Sequence, residues 1–99
     1  MTIELARAVA MHKPWGVADP GPWIKIDDDG ALIGEVWYDR PDKPGKPPSL
    51  LLKLLFTGQP LSIQVHPDDD YAKSIGLANG KTEAWCVLSA APGAKVALG

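Results

Sequence analysis

Cysteine, long apolar stretches and blocks of like charge are all scarce in this sequence. Cys86 is the only cysteine among the 99 residues, which excludes an intrachain disulfide and a thiolate metal cluster. No stretch approaches the roughly 18 uninterrupted apolar residues of a membrane span, and the N-terminus lacks the basic and apolar regions of a signal peptide. We therefore expect a soluble, cytoplasmic protein, and any metal that it binds must use nitrogen and oxygen ligands.

The charges are balanced and dispersed. Ten basic and twelve acidic residues give a formal net charge of -2 at pH 7. Without a basic patch the chain offers no electrostatic footprint for nucleic acid, so we expect neither nucleic acid nor a membrane as a partner. The length corresponds to about one small domain, which buries roughly 60 to 65% of its unfolded surface.

Ten glycines and ten prolines divide the sequence into short segments, a pattern typical of many short strands. We predict an all-β domain with one short helix, which the acidic run Asp68 to Asp70 caps and Gly76 ends. The first third of the chain has no clean periodicity and predicts an irregular arm. Residues 39–48 are expected to form a surface loop, and residues 91–94 a type II turn. The predicted strands are 33–38, 50–56, 61–66, 81–88 and 95–98.

Strict alternation in residues 61–66 predicts one polar face that carries Ser62, Gln64 and His66. Glu83 can complete this face from the next strand. An imidazole, a carboxylate and an amide oxygen suit zinc or another borderline divalent cation. A solvated polar face accounts for the same residues without a metal, so the residue pattern alone leaves both interpretations open. On the opposite face, Cys86 is expected to be a small buried residue.

Two stretches carry a family resemblance. Leu61 to Asp69 has the sequence Leu-Ser-Ile-Gln-Val-His-Pro-Asp-Asp, and Gly80 to Glu83 has Gly-Lys-Thr-Glu, with Trp85 shortly after. Together they closely resemble the type I mannose-6-phosphate isomerases, which are zinc-dependent cupins. The resemblance implies a single, partial cupin domain over residues 1–99, an incomplete jelly-roll β-sandwich or barrel. It extends over nearly the whole chain, through residues 13–16, 33–37, the Lys53 strand and 91–94.

The resemblance also implies an activity, the aldose-ketose isomerisation of mannose 6-phosphate and fructose 6-phosphate through a cis-enediol. A metal helps such a reaction by stabilising the enediolate oxygens, and a lysine beside a cation can move protons. From the residues alone, Lys53 could equally be a lysine that extends from the sheet into water. The implied roles are zinc binding for Gln64, His66 and Glu83, catalysis for Lys81, and substrate binding for Ser62, Lys53, Glu35 and Trp15.

The sequence departs from the family pattern in one respect. The family completes its zinc site with a second histidine and uses a downstream arginine, and neither has a match here, since His12 lies outside the motifs. We therefore expect a fragment, a truncated product, or a minimal cupin that another chain completes through an open sheet edge, as in a homo-oligomer. The alternatives are a catalytically silent cupin fragment that binds metal or sugar phosphate, and an assembly domain with an empty site.

Overall fold

The computed structural model describes residues 3–25, 30–40 and 50–97. The chain divides into two compact units, which we call the N-terminal unit, Met1–Leu61, and the C-terminal unit, Ser62–Gly99. The N-terminal unit contains the strands β1, Arg7–Val17, β2, Ile33–Asp39, and β3, Leu52–Leu55, with a 3-10 helix at Gly21–Trp23. The C-terminal unit contains the helix α1, Asp69–Ser74.

The three strands form one antiparallel sheet in the order β1-β2-β3. β2 is central and apolar at its start, so Ile33 and Val36 are fully buried there. The predictions for residues 33–38 and 50–56 are confirmed, with β2 one residue longer than expected and β3 shorter. Of the predicted loop 39–48, Asp39 ends β2, while residues 41–49 lie outside the described residues.

The irregular arm predicted for the first third is wrong over Arg7–Val17, which form β1. β1 pairs with β2 in register as far as Met11, and then both His12 and Val17 are opposite Ile33. The residues between them bulge out of the ladder, and a bulge tolerates Pro14, which has no amide hydrogen to donate. This bulge breaks the period of two, which is why the sequence pattern did not indicate a strand.

Two glycines allow the bulge to lie directly on β2. A Cβ atom at Gly16 would be 2.4 Å from the carbonyl carbon and oxygen of Ile33. A Cβ atom at Gly34 would be 2.5 Å from Cβ of Lys13. Both distances are far shorter than van der Waals contact, so only glycine fits this close approach of two backbones.

The C-terminal unit confirms the predicted helix and turn. The Asp68 carboxylate accepts a hydrogen bond of 2.8 Å from the amide of Tyr71 and caps α1, and Gly76 follows the helix with a φ of 88°. In the turn, the amide of Ala94 donates to the carbonyl of Ala91 at 3.1 Å, and Gly93 has the positive φ that a type II turn requires.

The strands predicted at 61–66 and 81–88 are wrong, and residues 95–97 also lie outside any strand, while residue 98 is not among the described residues. An alternating pattern specifies a strand only where one face is covered, and here Ile63 is 86% and Val65 89% exposed. Cys86, predicted to be buried, is exposed.

The described elements agree with an all-β fold that has one short α-helix. Because the strands in the described ranges form a single three-stranded sheet, the jelly roll and the single partial cupin domain stay predictions. Within those ranges no helix has the length and apolar character needed to cross a membrane.

Replacing Gly16 with alanine should lower the free energy of unfolding by about 2–3 kcal/mol, because the new methyl group collides with backbone rather than with a flexible side chain. Chemical denaturation measures this loss. Gly21→Ala is the control: its Cβ would meet no atom within 4 Å, and only its φ of 73° costs about 1 kcal/mol. A Gly16→Ala protein as stable as the wild type would contradict the close approach.

Candidate functional site

The N-terminal unit carries a cluster around a buried carboxylate, and we call Glu35, Trp37 and Lys53 the carboxylate cluster. Glu35 is only 7% exposed. Its Oε1 accepts a hydrogen bond of 3.0 Å from Nζ of Lys53, and its Oε2 accepts one of 3.2 Å from Nε1 of Trp37. The register explains this arrangement: Glu35 and Trp37 are two residues apart on β2, and Trp37 is opposite Lys53 on β3.

The surroundings of Glu35 favour its ionised form. Burial alone raises the pKa of this carboxyl, but the hydrogen bonds from Lys53 and Trp37 outweigh burial, with further help from the positive charges of Lys53 and Lys13, so the net pKa lies below the ordinary value. The Lys53 ammonium also lies 5.8 Å from the centre of the Trp37 ring, within the range of a cation-π contact.

Two of the predicted substrate-binding residues, Glu35 and Lys53, are therefore brought together. The side chain of Lys53 is 21% exposed and ends on a carboxylate, so it does not simply extend into water. Trp15 lies in the bulge of β1, where its ring packs over Gly34, the residue before Glu35. Its carbonyl accepts a hydrogen bond of 2.8 Å from the amide of Gly58, which ties the bulge to the segment after β3.

In the C-terminal unit a second polar group forms around Glu83. Its Oε2 lies 3.9 Å from Nε2 of His66, and its Oε1 lies 3.4 Å from Nζ of Lys81. The side chains of His66 and Glu83 are 30% and 29% exposed, and that of Lys81 is 50% exposed, so solutes can reach all three. A hydrogen bond of 2.7 Å joins Nε2 of Gln64 to Oγ of Ser62. The amide of Lys81 donates a hydrogen bond of 3.1 Å to the carbonyl of Pro67.

This second group can be tested for its fit to zinc. Two ligand atoms at roughly 2.0–2.2 Å from one tetrahedral zinc ion are about 3.4 Å apart. The 3.9 Å between His66 and Glu83 is longer, so the two side chains would have to approach each other by about 0.5 Å to share an ion. The side-chain nitrogen of Gln64 donates its hydrogen bond to Ser62. The side-chain oxygen, which is the atom that binds metals, is not used in that hydrogen bond. Within the described ranges no three His, Cys, Asp or Glu side chains gather as a ligand set, and Gln64 as a third ligand stays a prediction.

The structure adds Trp37 and Lys13, which were not among the predicted site residues. The signal for Trp37 was present, because a residue two positions after Glu35 on a predicted strand shares its face. No comparable signal pointed to Lys13, since its effect on Glu35 depends on the bulge that brings β1 over Gly34.

Comparisons with known proteins give two relatives. A protein of Bacillus subtilis (strain 168) named "Probable mannose-6-phosphate isomerase GmuF" is 43% identical over 75 residues, which cover 71% of this chain and 24% of the relative. The "Mannose-6-phosphate isomerase" of Streptococcus mutans serotype c (strain ATCC 700610 / UA159) is 48% identical over 50 residues, 50% of this chain and 16% of the relative. No family model matches the chain, and no solved structure matches it.

Both relatives carry the names of isomerases, and the chain spans about a quarter and a sixth of their respective lengths. Over the matched part, this chain is a homologue of mannose-6-phosphate isomerases. The resemblance predicted from the sequence motifs is thereby confirmed.

The carboxylate cluster predicts a specific pH dependence of stability. Glu35→Gln should lower the free energy of unfolding by about 1–3 kcal/mol at pH 7, because the amide replaces an ionised partner of Lys53. Since the pKa of Glu35 is lowered in the folded state, this contribution is fully present above the ordinary value of about 4.5 and is lost as the pH falls through the folded-state pKa.

Urea unfolding of both proteins between pH 3 and 7 measures the difference. Glu4→Gln is the matched control, because Glu4 forms an exposed ion pair with Arg40 and should matter by about 0.5 kcal/mol or less. A difference between wild type and Glu35→Gln that stays constant down to pH 3 would contradict the lowered pKa.

Proposed function

We propose that this chain serves the zinc-dependent isomerisation of mannose 6-phosphate and fructose 6-phosphate through a cis-enediol. The observation that carries the proposal is the Glu83 carboxylate, which faces an imidazole with one oxygen and an ammonium with the other. The residue that would bind the metal and the residue that would transfer the proton thus lie side by side in a homologue of mannose-6-phosphate isomerases.

Gln64, His66 and Glu83 would hold the zinc ion. The bound ion would supply electrostatic stabilisation of the negative charge that develops on the sugar oxygens when a C-H proton is removed. The resemblance implies a four-ligand zinc site whose fourth ligand, a second histidine, has no match in this sequence, so this chain would supply three of the ligands. The open exposure of His66 and Glu83 is compatible with access to the ion.

Lys81 would act on the proton that moves between C2 and C1 of the open-chain sugar. Its Nζ lies 3.4 Å from Glu83 and its side chain is half exposed, so it can reach a substrate while the carboxylate restrains it. Ser62 would contact the phosphate. Glu35 and Lys53, which form an ion pair, and Trp15 would contribute further substrate contacts.

A second candidate function is binding of metal or sugar phosphate without turnover. The observation in its favour is that no residue of the given sequence matches the downstream arginine of the family. The chain spans about a quarter and a sixth of the relatives' lengths. The ligand set and the carboxylate cluster would serve this function equally well.

Zinc binding separates these functions from an assembly domain with an empty site. Calorimetric titration of the metal-free chain should give one zinc per chain, and His66→Ala should weaken binding by about tenfold or more, because it removes one of three ligands. His12→Ala is the matched control and should bind as the wild type does, since His12 lies in β1. Absence of a stoichiometric ion in the wild type would contradict the metal assignment.

Turnover separates the enzyme from the silent binder. A coupled assay for fructose 6-phosphate, run on the zinc-loaded chain, should show formation of product that Lys81→Met reduces by about 100-fold or more, because general acid-base catalysis contributes that much. Lys73→Met, on α1, is the control. Zinc binding without product formation would favour the silent binder.

A further inference from the structure

We propose that Trp37 is a positioning residue that holds Glu35 and Lys53 in the geometry needed to contact a sugar phosphate. This inference rests on the proposed function, in which Glu35 and Lys53 contact substrate. Trp37 itself need not touch the substrate, since it acts through its two neighbours in the carboxylate cluster.

Both oxygens of the Glu35 carboxylate accept a hydrogen bond. Glu35 gives one oxygen to Lys53 and the other to the indole N-H of Trp37. A carboxylate whose two oxygens were both free could turn and take two ammonium hydrogens at once. Because Trp37 occupies Oε2, Glu35 meets Lys53 through a single oxygen and stays in one orientation.

Lys53 keeps hydrogen-bond donors that a ligand can use. An ammonium group has three donors, and the described residues take one of them, through Glu35. The Trp37 ring, 5.8 Å from the nitrogen, attracts the charge but accepts no conventional hydrogen bond. Lys53 therefore keeps donors for an incoming oxygen, and its partial exposure lets a sugar hydroxyl or phosphate reach them.

The burial of Glu35 strengthens the effect of Trp37 on its orientation. Glu35 is 7% exposed, so water competes poorly with Trp37 for the second oxygen. If the indole donor were lost, the carboxylate would satisfy that oxygen with Lys53, and the ammonium would be drawn towards Glu35 and away from a ligand. Loss of the indole N-H should thus weaken ligand binding more than it weakens the fold.

Trp37→Phe tests the inference, because phenylalanine keeps an aromatic ring and removes the N-H donor together with part of the ring area, a loss of area that Trp23→Phe shares. Calorimetry with mannose 6-phosphate on the zinc-loaded chain should show affinity about five- to tenfold weaker than in the wild type, because Lys53, drawn towards Glu35, would lose about one charge-assisted hydrogen bond to the ligand. Trp23→Phe is the matched control, since Trp23 is half exposed and lies in the 3-10 helix. This control should bind within twofold of the wild type.

A second measurement tests the hydrogen bond from the Trp37 indole to Glu35, on which the positioning role depends. In nuclear magnetic resonance spectra the indole N-H signal that disappears in Trp37→Phe should, in the wild type, shift with the protonation of Glu35 as the pH is lowered. Glu35→Gln should abolish that pH dependence. The inference would be overturned by an indole signal whose position does not depend on pH, or whose pH dependence is the same in Glu35→Gln as in the wild type.

The binding results also separate this inference from the proposed function. Wild-type binding together with Trp37→Phe binding of equal strength would overturn the positioning role alone. Failure of the zinc-loaded wild type to bind mannose 6-phosphate would overturn both the substrate contacts of the proposed function and the role of Trp37.

Discussion

The buried carboxylate of Glu35 is the constraint on which the N-terminal unit depends. A charge out of water is costly unless it is paired and hydrogen-bonded, so Glu35 requires Lys53 and Trp37 together. Lys53 lies on β3, and a slip of one residue between β2 and β3 would move it to the other face of the sheet. The ion pair can therefore form in the observed register and is lost in the slipped one. This matters in a unit whose fully buried apolar side chains, among the described residues, are Ile33 and Val36.

The bulge of β1 depends on the same strand. Gly16 and Gly34 allow two backbones to approach closely, and the result brings Lys13 near enough to Glu35 to favour its ionised form. Residues that the sequence presents as a short motif, 13–16, are thereby tied to the carboxylate cluster. The close packing of Gly34 and the charge interactions of Glu35 thus both lie in the first half of β2.

Much of this could be predicted where local signals agree with the fold. The apolar runs at β2 and β3, the Asp68 cap and the proline-glycine turn each combine a propensity with a position that satisfies it. β1 was missed because its bulge interrupts the alternation on which a strand prediction depends. Residues 61–66 have perfect alternation but no covered face, and for that reason their pattern was misleading.

The candidate site divides in the same way. Motif resemblance predicted four site residues, and the structure adds the distances from the Glu83 carboxylate to two of them. The four predicted residues are Gln64, His66, Lys81 and Glu83. The contact of Lys53 with Glu35 joins residues 18 positions apart, and such a contact depends on strand pairing rather than on local sequence. The alternation of side chains along a strand could have predicted that Trp37 shares a face with Glu35. Their hydrogen bond could not be predicted in this way, because it depends on the conformations of the two side chains.

In the proposed function, the Glu35–Lys53 pair serves ligand binding more than stability. Replacing both members of a buried pair often leaves stability unchanged, since it removes the cost of desolvation along with the attraction. The most direct test is the double variant Glu35→Gln/Lys53→Met, with unfolding and mannose 6-phosphate binding measured on the same sample. We predict a free energy of unfolding within about 1 kcal/mol of the wild type, together with at least a roughly tenfold loss of affinity. A strongly destabilised double variant that, while folded, binds as tightly as the wild type would contradict the account.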